Sequence, residues 1–181
     1  MRRVLVVNEF RVLDDETAEL VISRKGKYSV TVLIDAEEVG RLSVAGWRWY
    51  IHVRNGYTTI YGRLGKDRRK RVLSRLLLGA PDGYDVDHIN HNSLDNTKIN
   101  LRLATKSENG QNRKGATCLS KSGVRGVSQC SRTGKWTVRV KEPGGGPYLY
   151  FGRFDTIAEA EVVAKKARSI HQPFSEEALV A

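Results

Sequence analysis

Between residues 87 and 109 the chain gathers polar donors of the kinds that work on phosphate esters. Asp87 and His88 are adjacent, an Asn-rich loop follows, and Asn100 and Asn109 come after it. Asp87 and Asn109 offer two oxygen ligands to one hard cation. Oxygen donors of this type suit Mg²⁺ or Mn²⁺, which take few protein ligands and complete their shell with water and phosphate oxygens. One ion per site fits the donor count. His88 has an imidazole whose ordinary pKa lies near neutrality, so it can take the proton of an attacking water. Asn100 is expected to hold the loop or orient that imidazole. Such a constellation hydrolyses phosphodiesters, with the cation stabilising charge on the phosphate and the leaving oxygen. His91, inside the loop, is expected to face solvent or phosphate. His52 and His171 read as structural or surface residues.

The elements that must position these groups follow from the surrounding pattern. Tyr84–Ile89 alternates as a strand does, and residues 90–96 form a polar loop. Thr105-Lys106-Ser107-Glu108 is a capping box, so a helix is predicted from Lys106 to Arg113. A hairpin followed by a helix turns the hairpin side chains toward the helix start. Upstream, Val4–Val7, Ala18–Ile22, Tyr28–Ile34, Trp47–Val53 and Tyr57–Tyr61 read as strands, being rich in β-branched and aromatic residues. Asn55-Gly56 marks a tight hairpin. Residues 35–45 are expected to hold a short helix and residues 65–71 a basic, exposed loop. Val72–Leu78 reads as a strand leading into a helical turn.

Downstream, residues 115–123 are small and polar and are expected to be a linker. Gly126–Gln129, Trp136–Lys141 and Tyr148–Gly152 then read as three strands. A second capping box at Thr156 and Glu159 opens a helix carrying Ala160, Val163, Ala164, Ala167 and Ile170, and Pro173 ends it. This half reads β-β-β-α, with the helix covering one face of the sheet. By alternation Val138 and Val140 point to the helix and Arg139 and Lys141 away from it, while Trp136 is ambiguous. Tyr148 and Tyr150 are expected to point outward.

The run Asp87-His88-Ile89-Asn90, then Leu94-Asp95-Asn96-Thr97-Lys98-Ile99-Asn100-Leu101-Arg102, then Ser107-Glu108-Asn109-Gly110-Gln111-Asn112-Arg113 resembles the HNH endonuclease motif. It is closest to the phage and intron-encoded homing endonucleases with a ββα-metal site. The resemblance implies Asp87 and Asn109 as metal ligands, His88 as general base and Asn100 as the supporting residue. Asn112 and Arg113, one turn beyond Asn109, would touch phosphate. Ser74 stands where many relatives carry a histidine. The family's usual third histidine is Asn109 here, which favours magnesium or manganese over zinc.

Ser122-Gly123-Val124-Arg125-Gly126-Val127, Gly134-Lys135-Trp136, Tyr150–Thr156 and Glu159-Ala160 resemble an AP2/ERF DNA-binding domain. In that family a three-stranded sheet enters the major groove with a helix behind it. The resemblance implies DNA contacts from Arg125, Gln129, Arg132, Arg139, Lys141, Tyr148 and Tyr150. The turn before Gly134 is one residue longer than in plant relatives, and Cys130 and Ser131 occupy positions that often hold arginine.

The expected fold is α+β. A β-rich N-terminal region with the nuclease core spans residues 1–114, the linker 115–123, and the small sheet-and-helix domain 124–175. Composition agrees with such a protein. The 181 residues carry 31 Lys+Arg against 20 Asp+Glu, a net charge of +11. The first 40 residues hold 6 basic and 8 acidic side chains, so the excess lies beyond them. A surface this basic points to a nucleic-acid partner, here double-stranded DNA. No run of about 18 apolar residues is present, which argues against a membrane helix. Two cysteines without a CxxC pair fit a reducing, cytoplasmic setting, that of a bacterial host for a phage-encoded chain. The expected activity is sequence-directed, metal-dependent DNA cleavage by a monomer or homodimer, nicking or cutting both strands. The alternative is a non-catalytic DNA-binding regulator that keeps the motif as a scaffold. RNA is a lesser alternative, because an A-form major groove excludes a reading sheet.

Overall fold

Two tryptophans two residues apart on one strand must share a face, and the first half of the chain is built around them. The structure is a computed structural model that describes residues 6–24, 27–44, 46–67 and 69–180. It divides into two compact units, Met1–Leu103 and Ala104–Ala181.

In the first unit β1 (Val6–Val12), β2 (Thr17–Arg24) and β3 (Tyr28–Asp35) form an antiparallel meander, with Leu20 opposite Val32 and Ala18 opposite Ile34. The expected strand at Val4–Val7 begins outside the described residues. Helix α1 (Glu38–Val44) leads to β4 (Trp47–Arg54) and β5 (Tyr57–Leu64). The turn between them has positive φ at both Asn55 and Gly56, the conformation that an Asn-Gly hairpin favours. β6 (Arg71–Val72) completes a second antiparallel sheet and runs into α2 (Leu73–Leu78). One continuous core of Leu20, Ile22, Val32, Ile34, Leu42, Trp49, Ile60, Leu73, Leu77 and Leu101 joins these elements. Asn8 ties strand to strand as a peptide would. Its Nδ2 donates to the Trp49 carbonyl at 3.1 Å, and its Oδ1 accepts from the Trp49 amide at 2.7 Å.

β7 (Asp85–His88) pairs with β8 (Leu101–Ala104) as a two-stranded sheet. β8 is the second strand of the expected hairpin, at a position that the sequence did not mark.

The second unit begins with α3 (Lys106–Asn109), capped by Thr105 and Glu108 as expected. The α-helix does not run to Arg113. It ends at Asn109 and tightens to a 3₁₀ turn over Gly110–Asn112. β9 (Val127–Gln129), β10 (Trp136–Lys141) and β11 (Tyr148–Phe154) form an antiparallel sheet with β10 central. Helix α4 (Ile157–His171) packs on it through the buried Ala160 and Ala164, against Val127 and Val138. The small side chains allow that close approach. Thr156 and Glu159 cap α4 reciprocally, with bonds of 3.2 and 3.3 Å. α5 (Glu176–Leu179) follows, and Arg168 of α4, buried, pairs with its Glu177.

Residues 115–123 belong to the second unit and do not form a free linker. Ser120 N donates to Thr117 O at 2.9 Å, and Ser122 Oγ lies 2.8 Å from the carbonyl of Val127. These bonds fold the segment onto the start of β9. Among the described residues no helix is long and apolar enough to cross a membrane.

Gly62 lies opposite Trp49 in the β4–β5 pair. A Cβ there would stand 2.7 Å from the Trp49 ring and 2.8 Å from the Trp47 ring, whose centroids are 5.2 Å apart. Gly62→Ala is therefore expected to destabilise the fold by about 1–3 kcal/mol through overpacking, read by urea denaturation. Unchanged stability would show that the stacked rings yield freely.

Candidate active site and nucleic-acid interface

The loop between β7 and β8 is rich in asparagine because its own backbone consumes those side chains. Asn100 Oδ1 accepts from the Asn90 amide at 2.9 Å, and its Nδ2 donates to the Asp95 carbonyl at 2.8 Å. Asn90 and Asn92 close successive local turns onto the amides of Asn92 and Leu94, at 2.8 and 3.1 Å. Asp95 accepts from Asn90 Nδ2 and from Thr97 Oγ1, both at 2.7 Å. The loop then docks on β3. Leu33 N donates to Leu94 O and Asn96 N to Leu33 O, each at 2.8 Å. Asn100 itself is buried, 6% exposed.

Asp87 is 6% exposed, and its Oδ2 receives both Nε and Nη2 of Arg102 at 2.9 Å. A carboxylate buried this far needs such a partner. His88 is half-buried beside it. Burial pushes its imidazole below the ordinary range, opposed by the Asn96 hydrogen bond and the nearby Asp87 and Asp95. Asn96 is 2% exposed, and its Nδ2 donates to Ser93 O at 3.0 Å. Its Oδ1 therefore faces His88 Nε2, 3.3 Å away, and acts as the acceptor in that contact. A cavity of about 250 Å³ opens at His88, walled by Tyr57, Thr59, Ser74 and Asn96. Ser74, where relatives carry a histidine, is thus part of that wall.

Asn96 and Arg102 were not singled out from sequence. The available signals were the Asp-Asn pair inside the loop and a basic residue on the strand after an acidic one. His91 departs from its expected exposure. It has positive φ and is half-buried, and its Nε2 finds no hydrogen-bond partner. The backbone turn that places it inward is the same turn that carries the asparagine staples.

Asp87, His88 and Asn100 lie in the first unit. Asn109 is the last residue of α3 in the second, with its amide bonded to Thr105 O at 2.9 Å. Among the described residues no three His, Cys, Asp or Glu side chains cluster as metal ligands. Asp87 in one unit and Asn109 in the other each offer an oxygen donor of the kind that a hydrated Mg²⁺ or Mn²⁺ accepts. Asn112 is a correction. It is 4% exposed, because the 3₁₀ turn rotates each residue about 20° further than an α-helix would and carries its side chain inward. Arg113 is exposed.

On the C-terminal sheet Arg139 pairs with Tyr150, Lys141 with Tyr148, and Thr137 with both Arg153 and Ser128. Cross-strand partners share a face. That face therefore carries Arg139, Lys141, Tyr148, Tyr150 and the exposed Arg153, with Tyr148 and Tyr150 66% and 57% exposed. Val138 and Val140 are buried on the helix side, and Trp136 packs with them. Arg132 is exposed in the β9–β10 turn. Arg153 was missed, since the β-bulge between Val138 and Arg139 shifts the register and no alternation count reveals it.

Two of the residues expected to contact DNA make hydrogen bonds within the protein. Gln129 pairs with Trp136, on the face opposite Arg139, and its Nε2 donates to Gly134 O at 3.0 Å. Arg125 is spent on the protein itself. Its Nη1 donates to the carbonyls of Gln111 and Arg113 at 2.9 and 2.7 Å, and its Nη2 to Gln172 Oε1 at 3.4 Å.

Residues 71–111 match the sequence family described as HNH endonuclease, a range that runs from β6 into the 3₁₀ turn and includes Asp87, His88, Asn100 and Asn109. The chain is also similar to an uncharacterized HNH endonuclease of Acanthamoeba polyphaga mimivirus. The two are 40% identical over 88 residues, which cover 48% of this chain and 45% of the viral protein. The chain thus spans less than half the length of that relative. No solved structure matches it.

Replacing Asn100 with Ala strands the Asn90 amide and the Asp95 carbonyl. The expected cost is about 1–3 kcal/mol, with faster hydrogen exchange at the Asn90 amide. Exchange as slow as in the native chain would show that the loop holds without the staple.

Proposed function

We propose that this protein is a metal-dependent, sequence-directed DNA endonuclease of the HNH class, with DNA recognition assigned to its C-terminal, AP2-like sheet. The observation that carries the reading is the β7–β8 hairpin. Within a segment that matches the HNH family, Asp87 is locked by Arg102 next to a His88 whose orientation is set by Asn96.

Asp87 and Asn109 are the residues that would hold one Mg²⁺ or Mn²⁺, and the ion would supply charge stabilisation at the scissile phosphate and leaving oxygen. His88 takes a proton from the attacking water. Asn96 Oδ1 engages His88 Nε2 and so directs the ring's other nitrogen, Nδ1, to that proton. Asn100 keeps the loop, and with it His88, in register. Arg113 contacts phosphate from the second unit. Arg139, Lys141, Tyr148, Tyr150, Arg132 and Arg153 meet DNA from the exposed face and turn of the sheet. One site per chain means that a monomer nicks, whereas a homodimer cuts both strands.

His88→Ala is expected to lower metal-dependent cleavage by about 10²–10⁴-fold while leaving DNA affinity intact, as measured on a plasmid substrate and by titration of a labelled duplex. Cleavage at the native rate would remove His88 from its role. Arg139→Ala is expected to relax sequence preference at one base pair by about 1–3 kcal/mol, as measured by competition between duplexes. An unaltered preference would take base reading away from that residue.

A further inference from the structure

The second unit contains a groove that takes in Arg113, Arg139, Lys141 and Tyr148 from the proposed DNA contacts and adds Lys106, Arg125 and Arg168 to them. Two cavities of about 360 and 350 Å³ share Arg113, Arg125, Gly126, Arg139 and Tyr148, and so run into one another. The first of them draws Lys106, Arg113, Arg125, Arg139, Lys141 and Arg168 to one place, against a single acid, Glu142.

These six cations divide into a floor and two walls. Arg168, 4% exposed, is paired with Glu177, and its Nη1 donates to Arg125 O at 2.5 Å. Arg125 is partly buried and bonded to backbone carbonyls. Burial depresses its pKa, as does repulsion from Arg168 and Arg113, while Glu177 and Glu176 oppose the shift. The floor thus holds positive charge that carbonyl dipoles and one carboxylate offset only in part. The walls are free of such pairing. Lys106, Arg113, Arg139 and Lys141 are exposed and form no ion pair among the described residues. A concave surface lined by one sign of charge focuses its field on whatever enters. Its charged side chains are donors, with Glu142 the one carboxylate acceptor, so it favours a ligand that is anionic and rich in acceptors. A phosphodiester backbone meets both conditions. Each of the two cavities, at about 360 and 350 Å³, is larger than one isolated anion would fill.

We propose that this groove clamps the sugar-phosphate backbone of one strand of duplex DNA, independently of sequence, alongside the sheet that reads bases. The clamp rests on the DNA-cleavage reading for its partner but not for its chemistry. Lys106 and Arg113 grip from the α3 side and Lys141 from the central strand β10, next to the base-reading Arg139. The buried Arg125 and Arg168 supply the field beneath.

The test is binding rather than cleavage. The native chain and a Lys106→Gln/Arg113→Gln double variant are titrated, in EDTA, with several unrelated duplexes and one single strand over a range of salt. Both residues are exposed, so circular dichroism and the melting temperature should match those of the native chain. For the variant, the slope of log K against log salt is expected to become shallower by about 1.8, or about 0.9 for each phosphate that the protein no longer neutralises. Affinity should fall by one common factor on every duplex. An unchanged slope would overturn the clamp, as would a loss confined to one sequence or to the single strand. Native binding with an unaltered variant sinks the groove alone, whereas a native chain that binds no duplex sinks the DNA reading with it.

Discussion

The carboxamide of Asn100 joins the two ends of the β7–β8 loop, accepting from Asn90 and donating to Asp95. Everything in the candidate site leans on that closure. It holds Asn96 where its Oδ1 meets His88, and it presents Leu94 and Asn96 to β3, which belongs to the main core of the first unit. A loop of this kind would otherwise bury several amides without partners, each at a cost comparable to a lost hydrogen bond. The asparagines replace those partners one by one. Of the four site candidates in the sequence, Asn100 is thus part of the loop's mortar, while Asp87 and His88 stand at the end of β7.

Much of this was legible in the sequence, for definite reasons. Thr105 with Glu108 and Thr156 with Glu159 form capping boxes, and both do what that spacing implies. The strands of both units follow from β-branched alternation, and the alanines of α4 mark its buried face. The motif at 87–109 identified a nuclease-like segment that the family match over residues 71–111 supports. What escaped was tertiary. β8 has four residues inside a motif read for its chemistry, so it carried no periodicity of its own. The 3₁₀ turn that buries Asn112 has no signature that separates it from one more turn of α-helix. The placement of Gln129 and Arg153 depends on strand register and a bulge, which only pairing reveals.

The arginines divide in a way that composition hides. The net charge of +11 invites every basic residue to be read as a DNA contact. Arg102, Arg125 and Arg168 instead serve the fold. The first neutralises Asp87, the second ties the backbone at Gln111 and Arg113 to the start of β9, and the third links α4 to Glu177. Arginine suits these places because its planar fork satisfies several acceptors at once. Exposed, unpaired cations remain, and in the second unit Arg139, Lys141 and Arg153 share one sheet face while Lys106 and Arg113 line the groove beside it. Phosphate contacts of that kind position a protein, and base contacts then specify where it acts.

The most direct measurement of the central claim is the fate of supercoiled plasmid incubated with the native chain in Mg²⁺, in Mn²⁺ and in EDTA. The account predicts nicked or linear DNA with either metal and intact supercoils in EDTA. A chain that binds the plasmid carrying its target yet leaves it supercoiled in both metals would contradict the account and leave a DNA-binding regulator in its place.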